Sequence, residues 1–571
     1  MEKIWLKNYP AGIAPEVDTA AYTSVDDVFT QSCRRYAARP AFSSMGTTLS
    51  YAEIDRRSRD FAAFLQQRCA LHKGERIAIM LPNVLQYPVA VFGAFRAGLI
   101  VVNCNPLYTP RELEHQLIDS GATAIVVLEN FAHTLQQVIA HTPVRTVISS
   151  QLGDFFPPLK RFAVDFALRH VKKMVPRWQI AGALTMNAAL ADGAALPLDP
   201  ITLTRDDIAF LQYTGGTTGV PKGAMLSHGN MVANLQQISA WIGGEFREGV
   251  EVVVTPLPLY HVFALTANLL TFIRWGALNV LIANPRDIPT LVAELGRTPF
   301  TAITGVNTLF AALLRDPGFA KIDTRALKMA FGGGMPVQRA VSEQWQATTG
   351  SPLIEGYGLT ECSPLVAGNT LDDRGYTGTV GLPFPSTEVR ICDEHDVELP
   401  LGSTGEIHVR GPQVMQGYWQ QPAESEHVFA ADGWLRTGDM GFMDADGRIK
   451  LTDRKKDMIV VSGFKVFPNE VEEVVLSHPG VLEVAAVAAP DERAGEVVMI
   501  VVVRRDPALT AEELIALCRE QLTGYKVPRH VRFRDTPLPK STVGKILRRL
   551  ALKESAGEIA SAGAGGTPAS D

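Results

Sequence analysis

The chain has 571 residues, too many for a single hydrophobic core, so two or more domains are expected. Apolar residues make up 46% and charged residues 20% of the chain, which is typical of a globular protein and excludes a disordered one. The formal net charge of -6 gives no indication of a nucleic-acid partner, so none is expected.

The N-terminal sequence MEKIWLKNYP lacks the apolar run of a signal peptide. The six cysteines are scattered and form no CxxC pair, which disfavours a disulfide framework or a zinc site and fits a reducing compartment. We therefore expect a cytoplasmic protein.

Short runs rich in β-branched residues alternate with helical patterns along the chain. Two longer apolar stretches, 87–103 and 266–283, are interrupted by Arg96 and Arg274. They predict buried helix and strand, because a membrane span needs about 20 apolar residues. The alternation predicts an α/β architecture. Strands are predicted at 76–82, 124–128, 251–258 and 277–283, and helices at 110–120 and 287–297.

Residues 159–178 read LKRFAVDFALRHVKKMVPRW and hold six Lys or Arg against one Asp, with apolar residues interleaved. One interpretation is a basic amphipathic helix that lies on an anionic bilayer, on the cytoplasmic face of the membrane. The other is a solvated connector that packs its apolar side on its own domain. The sequence leaves both open.

The strongest local motif is YTGGTTGVPKGAMLSH, residues 213–228, directly after the strand-like run IAFLQ. Glycines let backbone N–H groups approach phosphate oxygens, hydroxyls add donors, and Lys222 supplies a positive charge. The motif is not a Walker A loop, because Gly223 and not Ser or Thr follows the lysine. It indicates a nucleotide phosphate site of another kind.

Three further motifs accompany this loop. EGYGLTECSP, residues 355–364, places Glu361 where a carboxylate could hold Mg²⁺ beside phosphates. GWLRTGDMG, residues 433–441, places Asp439 in a Gly-flanked turn, where it could accept hydrogen bonds from ribose hydroxyls. PKSTVGKILRR, residues 539–549, carries Lys545 near the C-terminus.

The charged run DRKKD, residues 453–457, separates two apolar, strand-like runs and is the predicted linker between domains. The sequence therefore predicts a large domain at 1–452, a hinge at 453–457 and a small domain at 458–555. The Ala/Gly/Ser-rich residues 556–571 predict a disordered tail, because they cannot bury enough surface to offset their ordering entropy.

These motifs, in this order and spacing, resemble the adenylate-forming (AMP-binding) superfamily of acyl-CoA synthetases, adenylation domains and luciferases. The stretches LPLYHVFAL (257–265), FGGGMP (331–336) and DRKKDMIVVSGFKVFPNEVE (453–472) match it as well. The last stretch, taken with DGWLRTGDMG, is similar to bacterial long-chain fatty-acid CoA ligases. The resemblance implies a large N-terminal adenylation domain of several subdomains and a small, mobile α+β C-terminal domain.

The resemblance also implies site residues. Lys545, Glu361, Thr214 and His261 are the implied catalytic residues, with Glu361 and Thr214 at Mg²⁺ and His261 beside the carboxylate end of the acyl pocket. The implied cofactor-binding residues are Thr214, Gly215, Gly216, Thr217, Thr218, Gly219 and Lys222 around the phosphates, Gly332, Gly333, Gly334, Gly356, Tyr357, Gly358 and Thr360 around adenine, Asp439 and Arg454 at the ribose, Lys456 at the hinge and Gly463 on the pantetheine path.

The implied reaction uses ATP, Mg²⁺ and coenzyme A, and joins a fatty acid to the thiol through an acyl-adenylate. Three alternatives remain open at this point: an enzyme that passes acyl-adenylates to a carrier protein, a ligase for medium-chain or aryl acids, and a non-catalytic nucleotide-binding or membrane-signalling protein. The sequence leaves the oligomeric state open, a homodimer included.

Overall fold

The computed structural model describes residues 2–214, 221–373, 375–491, 493–541, 544–548 and 550–554. The chain divides into two compact units. The larger comprises Lys3–Glu388 and Val409–Leu435, and the smaller comprises Met1–Glu2, Val389–His408 and Arg436–Asp571. The predicted hinge at 453–457 lies inside the smaller unit and stays a prediction, as do the domain boundaries proposed from the sequence. The predicted tail at 556–571 lies outside the described residues.

The larger unit contains two mixed sheets. Parallel pairing dominates in both, so the carboxyl ends of neighbouring strands come together at one edge, where ligands of α/β proteins bind. The seven-stranded sheet has the spatial order Leu184–Thr185, Thr146–Ser150, Ala124–Leu128, Arg76–Met80, Ile100–Asn103, Ile208–Thr214 and Lys222–Ser227. The nine-stranded sheet has the order Leu382–Pro383, Leu365–Gly368, Leu353–Gly358, Met329–Gly332, Ala302–Gly305, Val252–Thr255, Leu278–Leu281, Pro40–Ser44 and Thr47–Ser50.

Helices cover these sheets, and several have strong start and stop signals. The helix Pro110–Ser120 begins at a capping box of Thr109 and Glu112 and ends at Gly121, whose φ is 62°. The other helices of this unit are Val25–Arg35, Tyr51–Gln67, Gln86–Arg96, Ala132–Val138, Pro158–Phe166 with its wider continuation Ala167–Val171, Met186–Ala194, His228–Ile242, the consecutive Val262–Ala264, Leu265–Leu270 and Thr271–Arg274, Ile288–Leu295, Asn307–Arg315, Arg339–Thr349 and Pro422–Val428, with short helical turns at Ile4–Asn8, Glu129–Phe131, Ile139–His141, Phe319–Lys321 and Thr360–Cys362.

The smaller unit also has two sheets. Its four-stranded sheet has the order Glu388–Cys392, Gly405–Arg410, Leu435–Met443 and Ile449–Arg454. Its five-stranded sheet has the order Phe464–Val466, Ile459–Val461, Gly495–Arg504 and Val481–Asp491, with His530–Arg534 also paired to Gly495–Arg504. The helices Pro468–Leu476 and Ala511–Gln521 and the turn Gly524–Lys526 belong to this unit, and a core of valines and alanines lies between the five-stranded sheet and its helices.

The predicted α/β class, with a large and a small part, is confirmed. The predicted strands appear at Arg76–Met80, Ala124–Leu128, Val252–Thr255 and Leu278–Leu281, and the predicted helices at Pro110–Ser120 and Ile288–Leu295. Both long apolar stretches form a buried helix followed by a strand, as expected. Across the described ranges, no helix combines the length and the hydropathy needed to cross a bilayer.

Close packing of two helices depends on one glycine. Tyr51–Gln67 and Met186–Ala194 approach so closely at Gly193 that a Cβ atom there would overlap the carbonyl oxygen of Asp60 and lie 3.1 Å from the Cβ of Phe64. The obstructing oxygen belongs to helix backbone, so it cannot move away by a side-chain rotation.

We expect Gly193→Ala to lower the melting temperature, although alanine is the better helix former. Helix propensity favours alanine by about 1 kcal/mol, whereas overpacking costs about 1–3 kcal/mol, so the overlap should dominate. Gly244→Ala, in the turn after the helix His228–Ile242, is the control for a methyl group added in open space, because a Cβ there meets nothing within 4 Å. Calorimetric melting of both variants checks this, and a Gly193→Ala protein as stable as the control would contradict the packing argument.

Candidate active site

The strands that flank the predicted phosphate loop bring its two ends together. Ile208–Thr214 and Lys222–Ser227 pair in antiparallel register, with Thr214 opposite Lys222. The sequence prediction for Gly215, Gly216, Thr217, Thr218 and Gly219 falls outside the described residues. The hairpin nevertheless fixes where the loop begins and ends, at the carboxyl end of a parallel strand.

Residues 415–419 join this hairpin to Glu361. Their backbone bonds the strand Lys222–Ser227 through Met225 N to Gly417 O (2.9 Å) and Trp419 N to Gly223 O (2.8 Å). The amide of Met415 donates to the backbone oxygen of Glu361 at 2.8 Å. The hairpin that flanks the predicted phosphate loop and the predicted metal ligand Glu361 are therefore both bonded to residues 415–419.

The Tyr418 side chain completes this connection. Its hydroxyl donates to Oε1 of Glu361 at 2.7 Å, and the Lys222 ammonium lies 5.3 Å from the centre of its ring. Lys222 also forms an ion pair with Glu424. The structure thus brings Lys222 and Glu361 together at Tyr418, while their roles at phosphate and Mg²⁺ stay predictions. It adds Tyr418 and Glu424, which sequence analysis missed because no recognised motif surrounds them.

The two glycine motifs lie on neighbouring parallel strands. Met329–Gly332 pairs with Leu353–Gly358, and Gly332 lies opposite Glu355, so the chain leaves the sheet at Gly333 next to Gly356–Gly358, which stay in the sheet and pair with Leu365–Gly368. A Cβ at Gly356 would overlap the ring of Phe331, and Gly334 has φ +77°, a conformation that favours glycine. Tyr357, between Gly356 and Gly358, is buried. Thr360 starts the short helical turn that carries Glu361.

His261 caps the short helix Val262–Ala264, with its Nδ1 accepting from Phe263 N at 3.4 Å. Removal from bulk water lowers the pKa of His261 to about 4, so the ring is neutral at ordinary pH. Phe263 in turn packs against Phe331, with ring centres 5.9 Å apart. His261 is thereby connected to the glycine turn after Phe331.

A small apolar cavity of about 20 Å³, room for roughly one water molecule, lies behind Phe331. Its polar members are satisfied by other partners: the Thr304 hydroxyl donates to Asn268 at 2.9 Å, and the Asn369 amide donates to Thr379 O at 2.8 Å. The wall facing the cavity is therefore mostly hydrocarbon and aromatic. It is lined by Ile238, Trp241, Ile242, Ala267, Phe272, Thr304, Met329, Phe331, Ile354, Leu365, Asn369, Leu371 and Phe384.

In the smaller unit, the two predicted ribose residues form one pair. Asp439 and Arg454 are opposite each other on antiparallel strands, and Arg454 Nε lies 2.9 Å from Asp439 Oδ1. Asp439 is buried, and its contact with the guanidinium of Arg454 holds the carboxylate in place.

Lys545 belongs to the same unit and is electrostatically coupled to this pair. Removal from water, followed by the positive charge of Arg454, lowers the pKa of Lys545 to about 8, while Asp439 opposes the shift. Lys456 is exposed in the turn after Arg454. Gly463, with φ +84°, lies in the exposed turn between Ile459–Val461 and Phe464–Val466. Their predicted roles at the hinge and the pantetheine path stay predictions.

The side chains around Glu361 fit Mg²⁺ bound through few protein ligands. Glu361 is a half-exposed carboxylate with one oxygen bonded to Tyr418, and the Thr214 hydroxyl lies at the end of a neighbouring strand. Among the described residues, no group of three or more His, Cys, Asp or Glu forms a metal cage. One carboxylate fits a cation that keeps waters and takes substrate phosphates as its remaining ligands.

Comparison with known proteins is consistent with this geometry. Residues 29–419 match the AMP-binding enzyme family, and residues 470–545 match the AMP-binding enzyme C-terminal domain. A long-chain-fatty-acid–CoA ligase from Escherichia coli O6:H1 is 54% identical over 559 residues, covering 98% of this chain and 99% of that protein. One from Bacillus subtilis is 36% identical over 556 residues, covering 97% and 98%. Among solved structures, a benzoate CoA ligase from Burkholderia xenovorans LB400 is 26% identical with a TM-score of 0.79, covering 93% of this chain and 99% of that one.

The shifted pKa of Lys545 predicts a pH profile. If the ammonium form of Lys545 acts on ATP, kcat/KM for pyrophosphate release should fall as pH rises through about 8, because kcat/KM reports the free enzyme and the amine then loses its charge. Arginine keeps its charge to much higher pH. The Lys545→Arg variant should therefore show no inflection near pH 8, even if its overall rate of pyrophosphate release is lower. A wild-type profile that stays flat to pH 10 would contradict the assignment.

Proposed function

The chain belongs to the AMP-binding enzyme family, and from this premise we propose that it joins long-chain fatty acids to coenzyme A through an acyl-adenylate, at the expense of ATP. The observation that carries the proposal is the hydrogen bond from Tyr418 to Glu361, which holds a carboxylate beside the hairpin that flanks the predicted phosphate loop. The tail of a fatty acid would have to displace the walls of the small apolar cavity behind Phe331 to enter it, with its carboxylate near His261. The long-chain relatives, which align over nearly the whole chain, support the same substrate class.

In the first step, a carboxylate oxygen attacks the α-phosphorus of ATP, and the bond to the β-phosphate oxygen breaks to release pyrophosphate. Two anions must approach each other, so positive charge and donors aimed at the phosphates are the main requirement. Lys222 would supply positive charge to the phosphates, and the predicted role of Lys545 is to add an ammonium during this step. Mg²⁺, held by Glu361 and Thr214, would neutralise phosphate charge.

In the second step, the CoA thiolate attacks the acyl carbonyl carbon, and the bond between that carbon and the AMP oxygen breaks. AMP leaves, and the thioester forms without a protein nucleophile. The neutral ring of His261 suits a place beside this acyl carbonyl, because a neutral imidazole adds no charge to an apolar pocket. Asp439 and Arg454 would hold the ribose through both steps, and the predicted hinge at 453–457 would let the smaller unit present first Lys545 and then the Gly463 side.

The cavity makes the substrate prediction testable at Ala267, a buried residue of its wall. Wild-type protein should ligate palmitate more efficiently than octanoate. Ala267→Phe should lower kcat/KM for palmitate about tenfold, because lost room for two methylenes removes about 1.6 kcal/mol, while octanoate is little affected. A coupled assay of AMP release with CoA over acids of graded length measures this.

Two results would contradict the proposal. Adenylate formation without any thioester product would favour transfer to a carrier protein. Equal losses of palmitate and octanoate in Ala267→Phe would mean that the cavity does not hold the acyl chain.

We also propose peripheral contact with an anionic membrane through the exposed face of residues 158–174. The helix Pro158–Phe166 points its apolar residues outward: Leu159 is 88%, Phe162 71% and Phe166 50% exposed. Val171 and Met174 continue the exposed apolar face, at 70% and 54%. The alternative, a connector that packs its apolar side on its own domain, does not account for this exposure.

The basic residues of the segment divide into two groups. Lys160 bonds the backbone oxygen of Met45, Arg161 pairs with Asp154 at 3.0 Å, and Arg169 pairs with Glu129, so these three tie the helix to the larger unit. Lys172 and Lys173 are exposed beyond the helix. An anchored helix with outward phenylalanines and exposed lysines has the two elements that interfacial binding needs, apolar insertion and attraction to anionic lipid.

Neutralising both exposed lysines, as Lys172→Gln with Lys173→Gln, should weaken binding to phosphatidylserine-containing vesicles by about 1 kcal/mol per charge, without changing activity on soluble substrate. The matched control neutralises two exposed lysines elsewhere, Lys321→Gln with Lys450→Gln. Phe162→Ser should weaken binding in a salt-independent way. Vesicle sedimentation measures all three proteins, and equal affinity of the test and control variants would count against the proposed membrane face.

A further inference from the structure

Arg548 joins three elements of the smaller unit. Its Nε lies 2.7 Å from Oε1 of Glu472, and a terminal nitrogen donates to Oε2 of the same carboxylate at 2.8 Å. That nitrogen also donates to the Asn469 side chain, and the other terminal nitrogen donates to Asp453 Oδ1 at 2.7 Å. Asp457 lies 3.6 Å away. The guanidinium therefore connects the C-terminal segment with the strand Ile449–Arg454 and the helix Pro468–Leu476.

This cluster is buried and strongly coupled. The Arg548 side chain is 15% exposed and that of Asp453 only 2%. The surrounding carboxylates, Glu472 above all, raise the pKa of Arg548 above its ordinary value despite its removal from water. A planar guanidinium can satisfy several acceptors in fixed directions, whereas an ammonium cannot, so the cluster defines an orientation as well as a charge balance.

Asp453 uses both of its oxygens. Besides the bond to Arg548, its Oδ2 accepts from the amide of Asn469 at 2.7 Å, at the start of the helix Pro468–Leu476. The Asn469 side chain donates in turn to the backbone oxygen of Thr452 at 2.9 Å. Asp453 is thus the point at which the strand before the predicted hinge is fastened to the elements after it.

The cluster is close in sequence to two residues with predicted roles in the reaction, Lys545 and Arg454. Arg548 follows Lys545 by three residues, and Asp453 immediately precedes Arg454, the partner of Asp439. We propose that Arg548 is a positioning residue, which holds the segment that carries Lys545 against the strand Ile449–Arg454 for adenylation, and that its bond to Asp453 opens before thioester formation. The inference rests on the proposed function and on the predicted hinge at 453–457.

The two carboxylates that hold Arg548 differ in their relation to that hinge. Glu472 and Asn469 follow it in the chain and would move together with Arg548. Asp453 is its first residue and would remain with the strand Ile449–Arg454. A rotation within 454–457 therefore keeps the Arg548–Glu472 bonds and breaks the Arg548–Asp453 bond, so only the latter can distinguish the two steps.

The experiment compares Asp453→Asn with Glu472→Gln, two isosteric neutralisations of carboxylates that each bond Arg548 at 2.7 Å. Pyrophosphate release from fatty acid and ATP measures the first step, and thioester formation from supplied acyl-adenylate and CoA measures the second. We expect Asp453→Asn to lower the first rate about tenfold or more and to leave the second unchanged or faster. Glu472→Gln should lower the melting temperature and affect both rates alike.

A pH profile separates positioning from mere stability. With Lys545 no longer held beside Arg454, the inflection in kcat/KM for pyrophosphate release should move up from about 8 towards the ordinary lysine value in Asp453→Asn. Equal losses in both steps, or an unmoved inflection, would overturn the inference. If the wild type released no pyrophosphate with any fatty acid, the proposed function would fail. If the wild type released pyrophosphate and Asp453→Asn did so at the same rate, the inference about Arg548 would fail and the proposed function would stand.

Discussion

The hydrogen bonds of residues 415–419 are the constraint on which the site of the larger unit depends. This segment bonds the strand Lys222–Ser227 through its backbone, and bonds Glu361 through the Met415 amide and the Tyr418 hydroxyl. These bonds hold the two strands that flank the predicted phosphate loop next to the carboxylate. The two parallel strands Met329–Gly332 and Leu353–Gly358 then fix the glycine turns beside them. The chemistry proposed for the site follows from this adjacency.

Within each unit, the charged side chains predicted to act on substrates are paired with oppositely charged side chains of the same unit. Lys222 pairs with Glu424 in the larger unit, while Arg454 pairs with Asp439 and Arg548 with Glu472 and Asp453 in the smaller one. Each pair is an ion pair that a substrate or a conformational step would have to rearrange, and truncating one partner of a buried pair leaves an uncompensated charge. In each unit, the strength of such a pair would set how readily it gives way to a new partner.

Much of this arrangement could be predicted from the sequence, because the relevant signals are local. The strand Ala124–Leu128 and the helix Pro110–Ser120 appear with the predicted bounds, since β-branched runs and capping residues act over a few positions. Lys222 and Glu361 were recognised from short motifs. Tyr418, Glu424 and Arg548 were not assigned roles, because their importance comes from pairing across 57, 202 and 76 positions respectively, which no window of sequence displays. The apolar cavity escaped prediction for the same reason: its walls come from many separate elements.

The way the larger unit is assembled from Lys3–Glu388 and Val409–Leu435 has a consequence for biosynthesis. A ribosome delivers the phosphate loop long before it delivers Tyr418 and Glu424, and a chain folds largely from its N-terminus as it emerges. For the intervening period the nascent protein carries an unpaired loop lysine and a Glu361 without its tyrosine. Nucleotide affinity should therefore be acquired late and abruptly during translation, once residues 415–424 have left the exit tunnel.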